Sequence, residues 1–213
     1  NFFNDINTTK QDLNKSLQEA AESFIEPDIF LKDIDNRIKK LLDFSKGEKE
    51  YHLFFKELNN LWKRVRKNVL GYEYLKASRH NLCISPSDFG FHNCIINENN
   101  ELIFIDFEYS GLDDPVKFIC DYFSQPDIPV PLEFFEEFSN EAFNYSQEKS
   151  LIINRSKTLM PLFQIKWCCI IMNLFLPEVA ERRNFSDPDF NLDESKKMQL
   201  KKANELFSKI KYV

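Results

Sequence analysis

Apolar residues recur at helical spacing over most of this chain and at strand spacing in one short interval. Tyr51, Phe54, Phe55, Leu58, Leu61, Trp62, Val65 and Val69 follow the three-and-four rhythm of one helix face. Lys63, Arg64, Arg66 and Lys67 fill the last turns, and the pattern predicts a helix that ends at Gly71. Phe30, Leu31, Ile34, Ile38, Leu41 and Leu42 predict an earlier helix opened by Pro27, and a less regular pattern predicts another from Thr9 to Phe24. The apolar run from Leu159 to Leu176 predicts a buried central helix, with Pro161 in its first turn and Pro177 as its stop. Gln164, Lys166 and Asn173 interrupt that run, and it falls short of the roughly 20 apolar residues of a bilayer span, so a core helix is expected there and no membrane segment.

Between residues 82 and 107 the rhythm changes. Leu82-Cys83-Ile84 and Cys94-Ile95-Ile96 predict short strands, Ser85 to Asn93 a loop, Asn97 to Asn100 a turn, and Leu102 to Phe107 a third strand. Asp88, Asn93 and Asp106 then fall in loops and at strand ends, where a small sheet can aim them. Gly90 lies inside the loop and is one of only four glycines, so a tight backbone reversal is expected at it. Phosphoryl transfer needs one carboxylate to receive the acceptor hydroxyl's proton. It also needs an amide oxygen and a second carboxylate to hold the magnesium that neutralises the nucleotide phosphates. Asp88, Asn93 and Asp106 fit those three roles in that order. An Asp and an Asn five apart are common by chance; joined to a strand, a polar turn and a strand ending Ile105-Asp106-Phe107-Glu108, the combination is specific.

The stretch Ser85-Pro86-Ser87-Asp88-Phe89-Gly90-Phe91-His92-Asn93, with Phe104 to Pro115 after it, resembles the catalytic core of the aminoglycoside phosphotransferase and choline kinase superfamily. It is similar in particular to a bacterial branch of unassigned phosphotransferases that carries the Ser-Pro-Ser-Asp-Phe-Gly form of the loop. The resemblance implies a protein-kinase-like fold, with Asp88 as the catalytic Asp, Asn93 as the metal-binding Asn and Asp106 as the metal-binding Asp. It also implies magnesium (Mg2+) with ATP or GTP as the phosphoryl donor. Pro86 and Ser87 stand where the family usually has His and Gly, so the loop's support must come from elsewhere. A larger departure is that only 87 residues precede Asp88 and they read as helix. The nucleotide-binding lobe of the resembled family, with its phosphate-covering loop and paired lysine, has no counterpart there, and a missing N-terminal lobe of the same protein is the expected partner.

Composition adds a few exclusions. At 213 residues, with 43% hydrophobic and 29% charged content, the chain is long enough for a substantial core. A net charge of −6 argues against nucleic acid, which asks for a basic face. The 22 phenylalanines read first as aromatic helix packing. Five cysteines, an odd number without metal spacing, point to reduced thiols in a cytoplasmic protein, with Cys168 and Cys169 as inert buried thiols. Asp114-Pro115 predicts a helix cap followed by a first-turn proline. Glu108 is open between reaching metal or substrate and fixing its loop, and His92 is read as loop packing. Acidic residues at Glu133, Glu136, Glu137, Glu178 and Glu181 read as solvated helix faces, with attraction of a cationic acceptor as the alternative.

The expectation is an α+β, mostly helical chain. It is the C-terminal lobe of a protein-kinase-like fold, with a small antiparallel sheet carrying the catalytic loop. Residues 1–213 form that single lobe: a helical segment (1–80), the catalytic core (81–123) and a helical acceptor-side region (124–213). Its expected activity is transfer of the terminal phosphoryl of ATP or GTP to a hydroxyl of a small molecule, with the helices after Pro131 walling the acceptor site. The alternative is a non-catalytic module that keeps the fold as a binding surface. Retention of all three polar groups weighs against that alternative.

Overall fold

A computed structural model describes residues 2–8, 17–187 and 189–211. Eight helices carry most of these residues: α1 (Phe2–Thr8), α2 (Pro27–Phe44), α3 (Lys49–Leu70), α4 (Pro115–Ser124), α5 (Phe135–Ala142), α6 (Lys149–Ile171), α7 (Pro177–Ser186) and α8 (Leu192–Lys209). Four three-residue strands complete the α+β fold: β1 (Cys83–Ser85), β2 (Cys94–Ile96), β3 (Leu102–Phe104) and β4 (Gly111–Asp113). They form two antiparallel pairs, β1 with β4 and β2 with β3. The chain divides into two compact units, Asn1–Phe30 with Tyr72–Met160, and Leu31–Gly71 with Pro161–Val213.

The second unit is built on the helix periodicity. All eight apolar residues that predict α3 are buried along one face of it. Tyr51 and Phe55 pack on Phe175, Phe54 on Phe207, and the Trp62 indole donates to Asp35 at 2.6 Å. Gly71 ends α3, but in the right-handed region (φ −89°) and not in the left-handed turn that glycine most often supplies.

The first unit carries the strands and the loop between them. Here phenylalanines do the packing: Phe3 stacks on Phe118 at 4.1 Å, and Phe143 meets both edge-on. Such pairs add about 0.5–1.5 kcal/mol each beyond their area. The stretch predicted as a helix from Thr9 to Phe24 is different. Residues 9–16 lie outside the described residues, and residues 17–24 are extended and turning. Their backbone bonds go to the β4 edge, with Ala20 N donating to Leu112 O at 2.9 Å and Leu112 N to Gln18 O at 2.9 Å. Gly111 permits this crossing, because a Cβ there would come within 2.6 Å of Ala20 N and Gln18 O. The third strand ends at Phe104 and not at Phe107, and the chain then leaves the sheet for the turn that carries Asp106.

The two prolines of the central apolar run act differently from their predicted roles. α6 begins ten residues before Leu159, so Pro161 lies inside the helix and the division between the two units falls at it. Pro161 has no N–H to give to the carbonyl of Lys157, an exposed residue, and burial of the apolar residues on either side outweighs that lost bond. Pro177 does not merely stop the run: it occupies the first turn of α7, after a 3-10 turn over residues 172–175. The helix and its following turn, Lys149–Phe175, are long and apolar enough to cross a membrane, yet 78% of the apolar window is buried inside the fold. All five cysteines are free, and burial pushes Cys169 up to about 12 and Cys120 and Cys168 well above the ordinary range, as expected of inert thiols.

Candidate active site

The loop from Pro86 to Asn93 is clamped to the first unit by the aromatic rings on either side of Gly90. Phe89 stacks on Phe104 of β3 at 4.4 Å and leans on Phe118 and Tyr122 of α4. Phe91 contacts Phe104 and Tyr122 from its other side. Gly90 itself has an extended backbone, φ 174°, which any residue adopts, so the reversal predicted there is not its function. Its need is space: a Cβ would come 2.6 Å from His92 Nδ1 and 3.3 Å from Gln125 Nε2.

Asp88 and Asn93 are held together. Asn93 Nδ2 donates to the Asp88 carbonyl at 2.9 Å and approaches Asp88 Oδ2 at 3.3 Å. With its nitrogen committed to Asp88, Asn93 has its amide oxygen left over, the kind of atom that could hold a hard cation. Ile105 N donates to Asn93 O at 2.9 Å, continuing the β2–β3 ladder by one step, so Asp106 follows directly on the residue bonded to Asn93. Asp106 is exposed and has φ 64°, one of four left-handed non-glycine positions among the described residues. Asp tolerates that region better than most residues. The Tyr109 hydroxyl is raised first by its hydrogen bond to Glu108, and the charges of Asp106 and Asp88 add to the effect. Tyr109 thus feels both candidate carboxylates.

Support for the loop comes from residues outside the motif's three polar groups. Ser87 also has φ 64°. Its N–H reaches Ser85 Oγ at 3.1 Å, its hydroxyl donates to Ala21 O at 3.1 Å, and Lys117 Nζ donates to that hydroxyl at 3.0 Å. Lys117 is 2% exposed and lies 3.2 Å from Asp121 and 3.6 Å from Asp113. Burial would lower the ammonium, but Asp121 and then Asp113 outweigh it and hold its pKa up. Burial also pushes the Asp113 carboxyl up to about 7, against the pull of Lys117 and of the Phe24 and Asp114 amides. Asp114 caps α4 as predicted, through Val116 N at 2.9 Å, and takes Arg155 on both oxygens. Asp113 at the end of β4, with Lys117 and Asp121 following at steps of four into the otherwise apolar α4, is a readable signal for this cluster. Gln125, which bonds His92, carries none.

Removing Lys117 would leave two buried carboxylates without their cation. At about pH 8, above the raised Asp113 pKa, Lys117→Met is expected to lose about 3–5 kcal/mol in urea unfolding; a loss under about 1 kcal/mol there would show that the carboxylates are not charged. The raised Asp113 sets a pH dependence of definite sign. Its native pKa near 7 exceeds the usual 3.8, so between those values the native state binds more protons than the unfolded chain. The stabilisation is fully present below about 3.8 and is lost as pH rises through about 7, with a slope of at most about 1.4 kcal/mol per pH unit. Melting curves from pH 4 to 8 should show this decline in the wild type and a flatter profile in Asp113→Asn; equal slopes would refute it.

The mostly helical architecture with two short antiparallel ladders is consistent with the C-terminal lobe of a protein-kinase-like fold, by its likeness to a solved structure. The choline kinase from Cryptosporidium parvum Iowa II aligns with it at a TM-score of 0.52 and 15% identity, over 97% of this chain and 64% of that one. The chain therefore spans less than two thirds of that protein's length, and the likeness is one of fold. No protein-family model matches the sequence, and no curated protein sequence does.

Proposed function

We propose that the protein transfers the terminal phosphoryl group of ATP or GTP to a hydroxyl of a small molecule, as a member of the aminoglycoside phosphotransferase and choline kinase superfamily. A cytoplasmic enzyme of the bacterial branch with the Ser-Pro-Ser-Asp loop is part of the same reading. The observation that carries it is the Asp88 carboxylate, pinned at its inner side by Asn93 and His92 while its side chain stays 39% exposed for an acceptor. Asp88 would orient the hydroxyl and take its proton. The amide oxygen of Asn93 and the carboxylate of Asp106 would hold magnesium, which supplies neutralisation of phosphate charge when bound. Magnesium is usually held by one or two protein ligands together with substrate phosphates, so a cage of three acidic or imidazole side chains, absent among the described residues, is not required.

Two surfaces fit the rest of this reading. Ile95, Ile96, Leu102 and Ile103 are exposed on the two faces of the β2–β3 ladder. A bare two-stranded ladder with this much exposed aliphatic surface calls for a cover, and a nucleotide-binding lobe is the cover proposed. On the acceptor side, Phe138 of α5 stacks on Tyr122 at 4.3 Å, which joins that helix to the loop through Phe89. Glu136 of the same helix pairs with Lys157, which weakens the reading of the acidic residues as a trap for a cationic acceptor. The test is nucleotide binding and turnover by the intact protein, read beside variants at Asp106 and Asp88, whose losses should differ in kind.

A further inference from the structure

His92 and Gln125 form a relay that ends on the reacting carboxylate. Gln125 Oε1 accepts the backbone N–H groups of Asp127 at 2.5 Å and Ile128 at 3.1 Å, which fixes which end of the amide is oxygen. Its Nε2 therefore faces His92 Nδ1, 2.6 Å away, and an amide nitrogen can only donate. Nδ1 must offer a lone pair, so the neutral ring carries its proton on Nε2, 3.1 Å from Asp88 Oδ1. Gly90 leaves the space in which ring and amide meet.

We propose that His92, locked in the Nε2–H tautomer by Gln125, is a positioning residue that fixes the rotation of the Asp88 carboxylate. This rests on the phosphotransfer reading of Asp88. Asn93 approaches Oδ2 at 3.3 Å and is directed mainly at the main-chain carbonyl. The shorter side-chain bond to the carboxylate is the one from His92. With it, one oxygen is tied and the other can meet an acceptor hydroxyl. Without it, the carboxylate keeps only the 3.3 Å approach of Asn93 to Oδ2, its last torsion is less restricted, and the near-attack geometry is populated only part of the time.

The experiment uses the intact protein with magnesium and ATP. His92→Phe keeps a ring and loses the donor, and is expected to lower kcat about 10- to 100-fold while nucleotide Kd changes less than about twofold. His92→Gln restores a donor near the Nε2 position and should recover most of that loss. Gln125→Leu should lower kcat in the same sense by a smaller factor. Nitrogen-15 spectra of the His92 ring should show Nδ1 bare and Nε2 protonated. An unchanged kcat in His92→Phe, a Gln variant no better than the Phe variant, or a ring protonated on Nδ1 alone would overturn the proposal. If His92→Phe does not fold, Gln125→Leu and the ring spectrum still decide it. A folded wild type that binds and turns over no nucleotide overturns the phosphotransfer reading and the positioning role with it, whereas the ring spectrum reports the lock separately.

Discussion

Asp106→Ala in the intact protein is expected to abolish magnesium-dependent nucleotide binding and turnover. Of the two proposed ligands, Asn93 contributes a neutral oxygen whose amide is already anchored to the Asp88 carbonyl. Asp106 contributes the charge, on an exposed turn one residue beyond the Ile105 bond to Asn93. A metal that stabilises transferring phosphate is worth several kcal/mol of transition-state energy, and most of that should go with the charged one of the two proposed ligands. Alanine at φ 64° would also strain the turn. Asp106→Asn is the necessary companion, since Asn accepts the left-handed region and removes only the charge. Calorimetric titration of ATP with and without magnesium, beside a steady-state assay, reads both variants. Unchanged magnesium dependence in the Asn variant would show that the motif is coincidental.

What can be read from the sequence follows the range of the forces involved. The α3 face is legible to the residue because a helix repeats its burial every three or four positions and needs no distant information. The Asp114 cap and the β2 strand are legible for the same local reason. The larger failures are long-range. Residues 18–20 look helical by composition but exchange hydrogen bonds with Leu112, a partner more than ninety positions away that only Gly111 lets approach. Pro161 reads as a helix start because proline usually is one, and buried residues on both sides carry the helix through it. At the candidate site the placement of the three motif residues is legible, because the strand, loop and strand that carry Asp88, Asn93 and Asp106 are close in sequence. The residues that hold them are not: His92 reads as loop packing, and Gln125 follows α4 with no feature to distinguish it from any surface glutamine.

Asp88→Asn should separate chemistry from binding. The structure favours a clean substitution: the amide oxygen of the new side chain can keep the bond from His92 Nε2. Its nitrogen then replaces Oδ2, which gives up only the 3.3 Å approach of Asn93, whose 2.9 Å bond to the main-chain carbonyl is untouched. The proposed magnesium ligands therefore stay in place and nucleotide affinity should remain close to wild type. What is lost is the proposed acceptor of the substrate's proton, and turnover should fall by about 10²- to 10⁴-fold, the usual contribution of a positioned general base. Asp106 and Asp88 thus predict opposite patterns. Binding and turnover fall together at Asp106 and come apart at Asp88. A protein that only binds nucleotide would lose nothing at Asp88, because no proton moves there. Equal loss of nucleotide binding in both variants, measured by the same calorimetry, would mean that Asp88 is a metal ligand and that its role as base is wrong.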